Sequence, residues 1–285
     1  MWIIFALGSA LFAGITAILA KVGIKNADSN AATAVRTVVV LIFSYIMVLI
    51  SGSQNTLLSI SPKTFIFLIL SGIATGASWL CYFRALQLGE VNKVTAVDKS
   101  SVILTMLLAV IFLGEPVTVT KITGIILIGA GTYLMIEFRK SDNNKTSLKW
   151  IFFASLSAVF ASLTSILGKV GISDVESNLG TFIRTSIIVV FAWGIVFATK
   201  KHKTLKSIDK KSWFFLCLSG ISTGASWLCY YRALQIGDAS SVVAVDKLSI
   251  VFTVLFSFFV LKEKLTVKSF LGLICIIAGT FVLLI

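Results

Sequence analysis

Apolar runs of about 20 residues, the length at which an α-helix crosses the hydrocarbon core of a bilayer, recur along the whole chain with short polar joints between them. Lipid offers no hydrogen-bond partner to a backbone N–H or C=O, so such runs fold as helices that satisfy themselves. Ten spans are read at roughly 2–24, 31–52, 65–88, 93–113, 118–138, 149–171, 179–199, 212–236, 241–261 and 266–285. The composition leaves nothing for a soluble domain: 57% of residues are hydrophobic, 13% are charged, and mean hydropathy is +1.00. The first span lacks the basic n-region of a signal peptide and nine more follow it, so it is expected to remain in a multi-pass protein of the cell (plasma) membrane.

The stretch "TGASWLCYFRALQLGEVNKVTAVDK" near Trp79 returns as "TGASWLCYYRALQIGDASSVVAVDK" near Trp227, an offset of 148 residues. The same offset relates Lys21 to Lys169, Arg36 to Arg184, Arg84 to Arg232, Asp98 to Asp246 and Glu115 to Glu263. The chain is thus two copies of one unit, 1–141 and 149–285, joined by a linker at 142–148. Each copy holds five spans, and an odd number turns the second copy over in the membrane. The expected fold is an all-α membrane protein with ten transmembrane helices in two inverted five-helix repeats.

Charge argues the same way. The joint "SGSQNTLLSISPKT" carries only Lys63, whereas its counterpart "TKKHKTLKSIDKKS" carries six lysines. "GEPVTVTK" becomes "KEKLTVK", gaining Lys262 and Lys264, while Lys25 and Lys93 correspond to the uncharged Ser173 and Ser241. By the positive-inside rule the joints at 25–30, 89–92, 139–148, 200–211 and 262–265 are expected in the cytoplasm, with both termini outward.

Charges inside spans identify candidate functional residues, because Asp, Lys or Arg at a helix centre costs about 2.5–3.5 kcal/mol on insertion scales. Lys21, Arg36, Arg84, Asp98 and Lys99 of the first copy all lie toward one membrane face, each with a mate in the second. Arg36, Lys99 and their mates are near helix ends, where snorkelling to the headgroups and lining an aqueous cavity stand as equal readings. Asp98 is too short to snorkel. Its expected partner is Lys21 or Arg84, since Lys99 points about 100° around the helix.

Asp98, Ser101 and Thr105 recur at i, i+3 and i+7, as do Asp246, Ser249 and Thr253. Ser71, Thr75, Ser78 and Tyr82 form a matching stripe beside Trp79, and Ser219, Thr223, Ser226 and Tyr230 one beside Trp227. Any one hydroxyl is more often an interhelical contact than a ligand, but with two aspartates the stripes point to a polar cavity between the copies. Asp98 and Asp246 are read as proton or substrate-amine sites, with Lys21, Lys169, Arg84 and Arg232 as their partners or anion contacts. Trp79, Trp227, Tyr82 and Tyr230 are read as cavity walls. Basic groups outnumber acidic ones in the spans, which favours an anionic or zwitterionic cargo over a bare cation. Spans five and ten lack polar stripes and carry Gly124, Gly131, Gly272 and Gly279, a surface suited to homo-oligomer contact.

Several classes are excluded. The net charge of +13 sits in short joints and not on a basic-aromatic surface, so lipid, not nucleic acid, is the expected neighbour. Cys81, Cys217, Cys229 and Cys275 form no CxxC pair, and the single His202 lies in a lysine-rich joint. No metal, cofactor or enzymatic activity is expected.

The segments "LGEPVTVTKITGIILIGAGTYLM" and "LKEKLTVKSFLGLICIIAGTFVLL" resemble the Gly-Glu turn and glycine-bearing final helix of the EamA family, in the drug/metabolite transporter superfamily. The resemblance covers essentially the whole chain. It implies a ten-helix fold around a central cavity and export of amino acids or other small metabolites by alternating access. A lipid-linked sugar translocator, or its partner subunit, is the alternative. Glu115 and Glu263 match the turn glutamate and are read as interfacial. Lys262 replaces the turn glycine in the second copy, and the outward termini depart from the arrangement usually assigned to the family. The likeness of the two copies looks like a fusion of half-size units.

Overall fold

The computed structural model describes residues 1–25, 27–135, 149–262 and 265–283, and every regular element among them is helical. The linker at 142–148 and Glu263 lie outside the described residues. The α-helices run α1 Trp2–Gly23, α2 Ser29–Ser51, α3 Pro62–Leu88, α4 Val91–Lys99, α5 Ser101–Leu113, α6 Val119–Met135, α7 Lys149–Ile172, α8 Ser177–Ala198, α9 Lys210–Ile236, α10 Ala239–Lys247, α11 Ser249–Phe256 and α12 Val267–Val282. Eight helical stretches are long and apolar enough to cross a membrane, counting α4 with α5 and α10 with α11 as single stretches, Val91–Leu113 and Ala239–Leu261. The shorter α6 and α12, with 17 and 16 residues, reach only about 25 Å at 1.5 Å per residue.

Spans four and nine, read from the sequence as continuous, are each broken directly after an Asp-Lys pair. At the first break the Ser100 N–H is shared between Ala96 O at 3.2 Å and Val97 O at 3.1 Å, and the Ile103 N–H reaches Ser100 O at 3.0 Å. At the second, the Leu248 N–H donates to Val245 O at 3.0 Å and the Val251 N–H to Leu248 O at 2.9 Å. Three-residue spacing tightens the helix locally. Ser100 Oγ also donates to Val97 O at 2.6 Å, but Leu248 has no hydroxyl, so the break belongs to the repeated packing and not to a serine.

Helices pair across the two halves. Along α1 and α9, Gly8 meets Cys229 while Gly23 meets Leu216; along α3 and α7, Leu68 meets Gly171 while Ser78 meets Ser157. In both pairs the partner number falls as the first rises, so the helices are antiparallel. Ala34 of α2 clusters with Ala192 and Val196 of α8, and Val48 with Leu179 and Ile183. Small residues bring the backbones close, the contact that drives helix association where lipid removes the hydrophobic gain.

Backbone meets backbone where α6 packs on α12. A Cβ on Gly131 would stand 2.5 Å from Gly272 O, and one on Gly279 would stand 3.0 Å from Gly124 O. The glycine faces that the sequence offered for oligomer contact are therefore occupied within one chain. The outer faces expose Ile122, Ile126, Tyr133, Phe270, Ile274 and Phe281.

The joints gather at two ends. Lys201 Nζ lies 3.2 Å from Asp28 Oδ2, and Gln87 Nε2 donates to Ala27 O at 3.0 Å. At the other end Gln235 Nε2 donates to Val175 O at 2.9 Å, and Ser240 Oγ donates to Glu115. Burial pushes the Glu115 carboxyl up, but hydrogen bonds from Ser240 and from Lys121, whose Nζ is 2.9 Å away, outweigh it and hold the group below its ordinary value.

Gly52 and Gly114 end α2 and α5 in the left-handed region, with φ of 66° and 67°. Their counterparts Lys200 and Lys262 keep that conformation at 57° and 56°, so the replaced turn glycine leaves the backbone geometry intact. A left-handed non-glycine residue costs roughly 1–2 kcal/mol. Lys200→Gly and Lys262→Gly are each expected to raise the melting temperature of the purified protein, by the equivalent of about 1 kcal/mol. A lower melting temperature would mean that the ammonium groups stabilise the fold directly.

Candidate functional site

A half-open cavity of about 160 Å³ lies on the seam between the halves. Its aromatic wall is Trp79, Tyr82 and Phe83 with Trp227, Tyr230 and Tyr231, and its charged wall is Arg36, Asp98, Lys99, Asp246 and Lys247. Trp79 and Trp227 meet edge-to-face with centroids 5.1 Å apart, so the two copies of one motif touch here. A dry cavity of about 150 Å³ holds benzene, and this one suits a molecule of comparable bulk.

Each aspartate is held by a serine of the other half. Ser157 Oγ of α7 donates to Asp98 Oδ1 at 2.8 Å, and Ser9 Oγ of α1 donates to Asp246 Oδ1 at 2.6 Å. These serines, not Lys21 or Arg84, are the recorded partners. Lys21 Nζ donates to Leu86 O and Gly89 O at 2.5 and 2.7 Å, and Lys169 Nζ to Leu234 O and Gly237 O at 2.7 and 2.8 Å. Both ammonium groups thereby satisfy carbonyls left open at the ends of α3 and α9, where the helix dipole is negative. Arg84 and Arg232 are exposed and bond Gln87 and Gln235 at 2.5 and 2.7 Å.

The predicted hydroxyl stripe is divided. Thr75 and Ser78, with Thr223 and Ser226, line the cavity. Ser101 and Thr105 are fully buried elsewhere, as are Ser249 and Thr253, with each threonine Oγ1 donating to the serine carbonyl at 2.9 Å. The helix break before Ser101 and Ser249 ends the continuous register that their spacing assumed. Tyr82 OH pairs with Thr95 Oγ1 at 3.3 Å, and Tyr230 OH with Ser165 Oγ at 2.9 Å.

Arg36, Arg184, Lys99 and Lys247 are the four cations for which the sequence allows either snorkelling or a cavity role. Arg36 and Arg184 do not snorkel: they are 1% and 0% exposed. Arg36 Nε donates to Ser219, and its Nη2 to Thr223 Oγ1 at 2.8 Å. Arg184 Nε and Nη2 donate to Ser71 and Thr75 at 3.0 and 2.8 Å. Lys247 is buried, and both it and Lys99 line the cavity. The signal available was the stripe Ser71, Thr75 and its copy Ser219, Thr223. What the spacing did not tell was that each stripe receives an arginine from the opposite half.

A model of the EamA-like transporter family matches residues 1–137 and 148–285. The chain belongs to the EamA-like transporter family. Among similar proteins, an uncharacterized transporter of Sinorhizobium sp is 45% identical over 137 residues, which is 48% of this chain and 97% of that protein. One half of this EamA-like chain therefore spans nearly the whole of that relative. An uncharacterized transporter of Methanothermobacter thermautotrophicus is 28% identical over 204 residues, covering 66% of this chain and 57% of the relative. A solved crystal structure superposes with a TM-score of 0.73 over 97% of this chain and 94% of its own, at 15% identity, a likeness of fold alone. With eight stretches long and apolar enough to cross a membrane, this member of the family is a multi-pass membrane transporter.

Proposed function

We propose that this EamA-like transporter exports a small polar metabolite, with amino acids the leading class, by alternating access between two inverted five-helix repeats. The observation that carries the reading is the seam cavity, whose two carboxylates are each bonded to the opposite half by a serine. Rocking one half against the other changes both bonds, so occupancy and conformation are coupled there. Inversion is supported by the five spans per copy and by cross-half bonds that recur at an offset of 148 residues: Asp98–Ser157 with Asp246–Ser9, and Arg184–Ser71 with Arg36–Ser219. Discontinuous helices beside a midplane cavity are a recurring device of secondary transporters. The size of the cavity favours an amino acid over a lipid-linked sugar.

Counterflow in proteoliposomes tests this. Vesicles preloaded with an unlabelled amino acid are expected to take up its labelled form faster than empty vesicles, with saturation. Failure of every amino acid to accelerate uptake, in vesicles with correctly incorporated protein, would remove amino acids as the cargo class.

A further inference from the structure

We infer that Arg36 is a carboxylate anchor, so that the cargo of this cavity carries at least one carboxylate group. The inference rests on the transporter reading and narrows its substrate class. Arg36 is the only arginine on the cavity wall among the described residues, and it is 1% exposed overall. Its Nε and Nη2 are occupied by Ser219 and Thr223, while its Nη1 is buried with no hydrogen-bond partner. A buried N–H group is rarely left unmade without reason. Neither hydroxyl carries charge, and no carboxylate forms an ion pair with Arg36 among the described residues. No counter-ion among the described residues thus offsets the guanidinium in its low-dielectric surround, a state that calls for an anion.

Aromatic rings flank the guanidinium. The guanidinium carbon lies 4.1 Å from the Phe83 ring centroid and 5.9 Å from that of Trp79. Both rings lie within cation–π reach of the guanidinium, and donation from the unpartnered Nη1 suits a carboxylate. Lys99 and Lys247 stand on the same wall, so three cations face two carboxylates there. The wall has an excess positive charge for one acidic group, with Asp98 and Asp246 available to an ammonium if the cargo has one. The second half holds a corresponding cradle, with Tyr231 in the place of Phe83. Arg184 is bonded to Ser71 and Thr75, stacked 4.1 Å from Tyr231 and 4.8 Å from Trp227, and its Nη1 is likewise buried without a partner. Unlike Arg36, it is not on the cavity wall in this conformation.

The test is a binding measurement on the purified full chain in detergent, which reads the anchor without requiring transport. Lactate, succinate, glycine, inorganic phosphate and ethanolammonium are the probes, read by ligand-dependent melting shift and by calorimetry. The expected result is saturable stabilisation by the carboxylates and none by ethanolammonium. Arg36→Gln is expected to weaken carboxylate binding by at least about tenfold, the scale of a lost charge-assisted hydrogen bond. Arg36→Lys, which keeps a cation at the clamp and so protects folding, is expected to do the same because an ammonium lacks the planar fork that places donors on both hydroxyls and on a carboxylate at once. The inference is overturned if ethanolammonium or phosphate alone binds, if no carboxylate binds, or if either folded variant binds carboxylate with unchanged affinity. Carboxylate binding without counterflow would uphold the anchor while counting against the transport cycle.

Discussion

Vesicles containing the Asp98→Asn, Asp246→Asn double variant are expected to transport the cargo at least roughly a hundredfold more slowly than wild type. Each change removes a charged acceptor facing the cavity, a loss of about 1.5–3 kcal/mol per hydrogen bond to a charged group, and every 1.4 kcal/mol is about a tenfold effect. Asparagine matches aspartate in shape, and its Oδ1 still accepts from Ser157 or Ser9, the bonds that hold the wild-type carboxylates. The fold is therefore expected to survive, and a single symmetric peak on size exclusion checks it. The dependence on an imposed pH gradient should disappear with the rate, because the carboxylates are the proposed proton sites. The single variants are more informative still. If the repeats are inverted, Asp98→Asn and Asp246→Asn impair loading from opposite sides of the membrane. Unchanged rate and unchanged pH response in the double variant would end the role of both residues.

The all-helical membrane class was legible in the sequence because membrane constraints are severe. Backbone groups in lipid permit little besides helices, and the 148-residue offset tied each residue of one copy to its mate in the other. The cavity walls Trp79, Trp227, Tyr82, Tyr230, Asp98 and Asp246 were legible for the same reason: polar or aromatic groups at matching depth in two apolar helices avoid lipid together. Contact between particular helices was not legible. Lys21 lies toward the same end of the spans as Asp98, yet it bonds the carbonyls of Leu86 and Gly89, because an open helix end also attracts a cation. Arg36 was read as a residue near a helix end, and only the packing of α2 against α9 turns it into a buried clamp. The breaks at Ser100 and Leu248 carry no proline or glycine, the residues by which a sequence announces an interruption.

The packing of α6 against α12 separates two readings of the same glycines, and Gly131→Leu decides between them. A Cβ at this position would stand 2.5 Å from Gly272 O and 2.8 Å from Ile276 Cγ1. The nearest atom is backbone, so it cannot rotate away as a side chain would. Overpacking ordinarily costs about 1–3 kcal/mol, and a backbone oxygen as the nearest atom puts this site at the upper end or beyond. Gly272→Leu meets the same obstacle from the other side, with Gly131 O at 2.6 Å. Both variants are expected to lower the melting temperature of the monomer sharply. The double variant should lose less than the sum of the two, since one separation of α6 from α12 relieves both clashes. If the glycines instead served contact between copies, Gly131→Leu would dissociate the assembly and leave the melting temperature of the separated chain unaltered. Size exclusion and melting, read on the same sample, give different answers for the two cases. The exposed outer residues Ile126, Tyr133 and Phe281 provide the matching control: substitution there leaves the α6–α12 seam untouched, so any change in assembly would come from the lipid-facing surface alone.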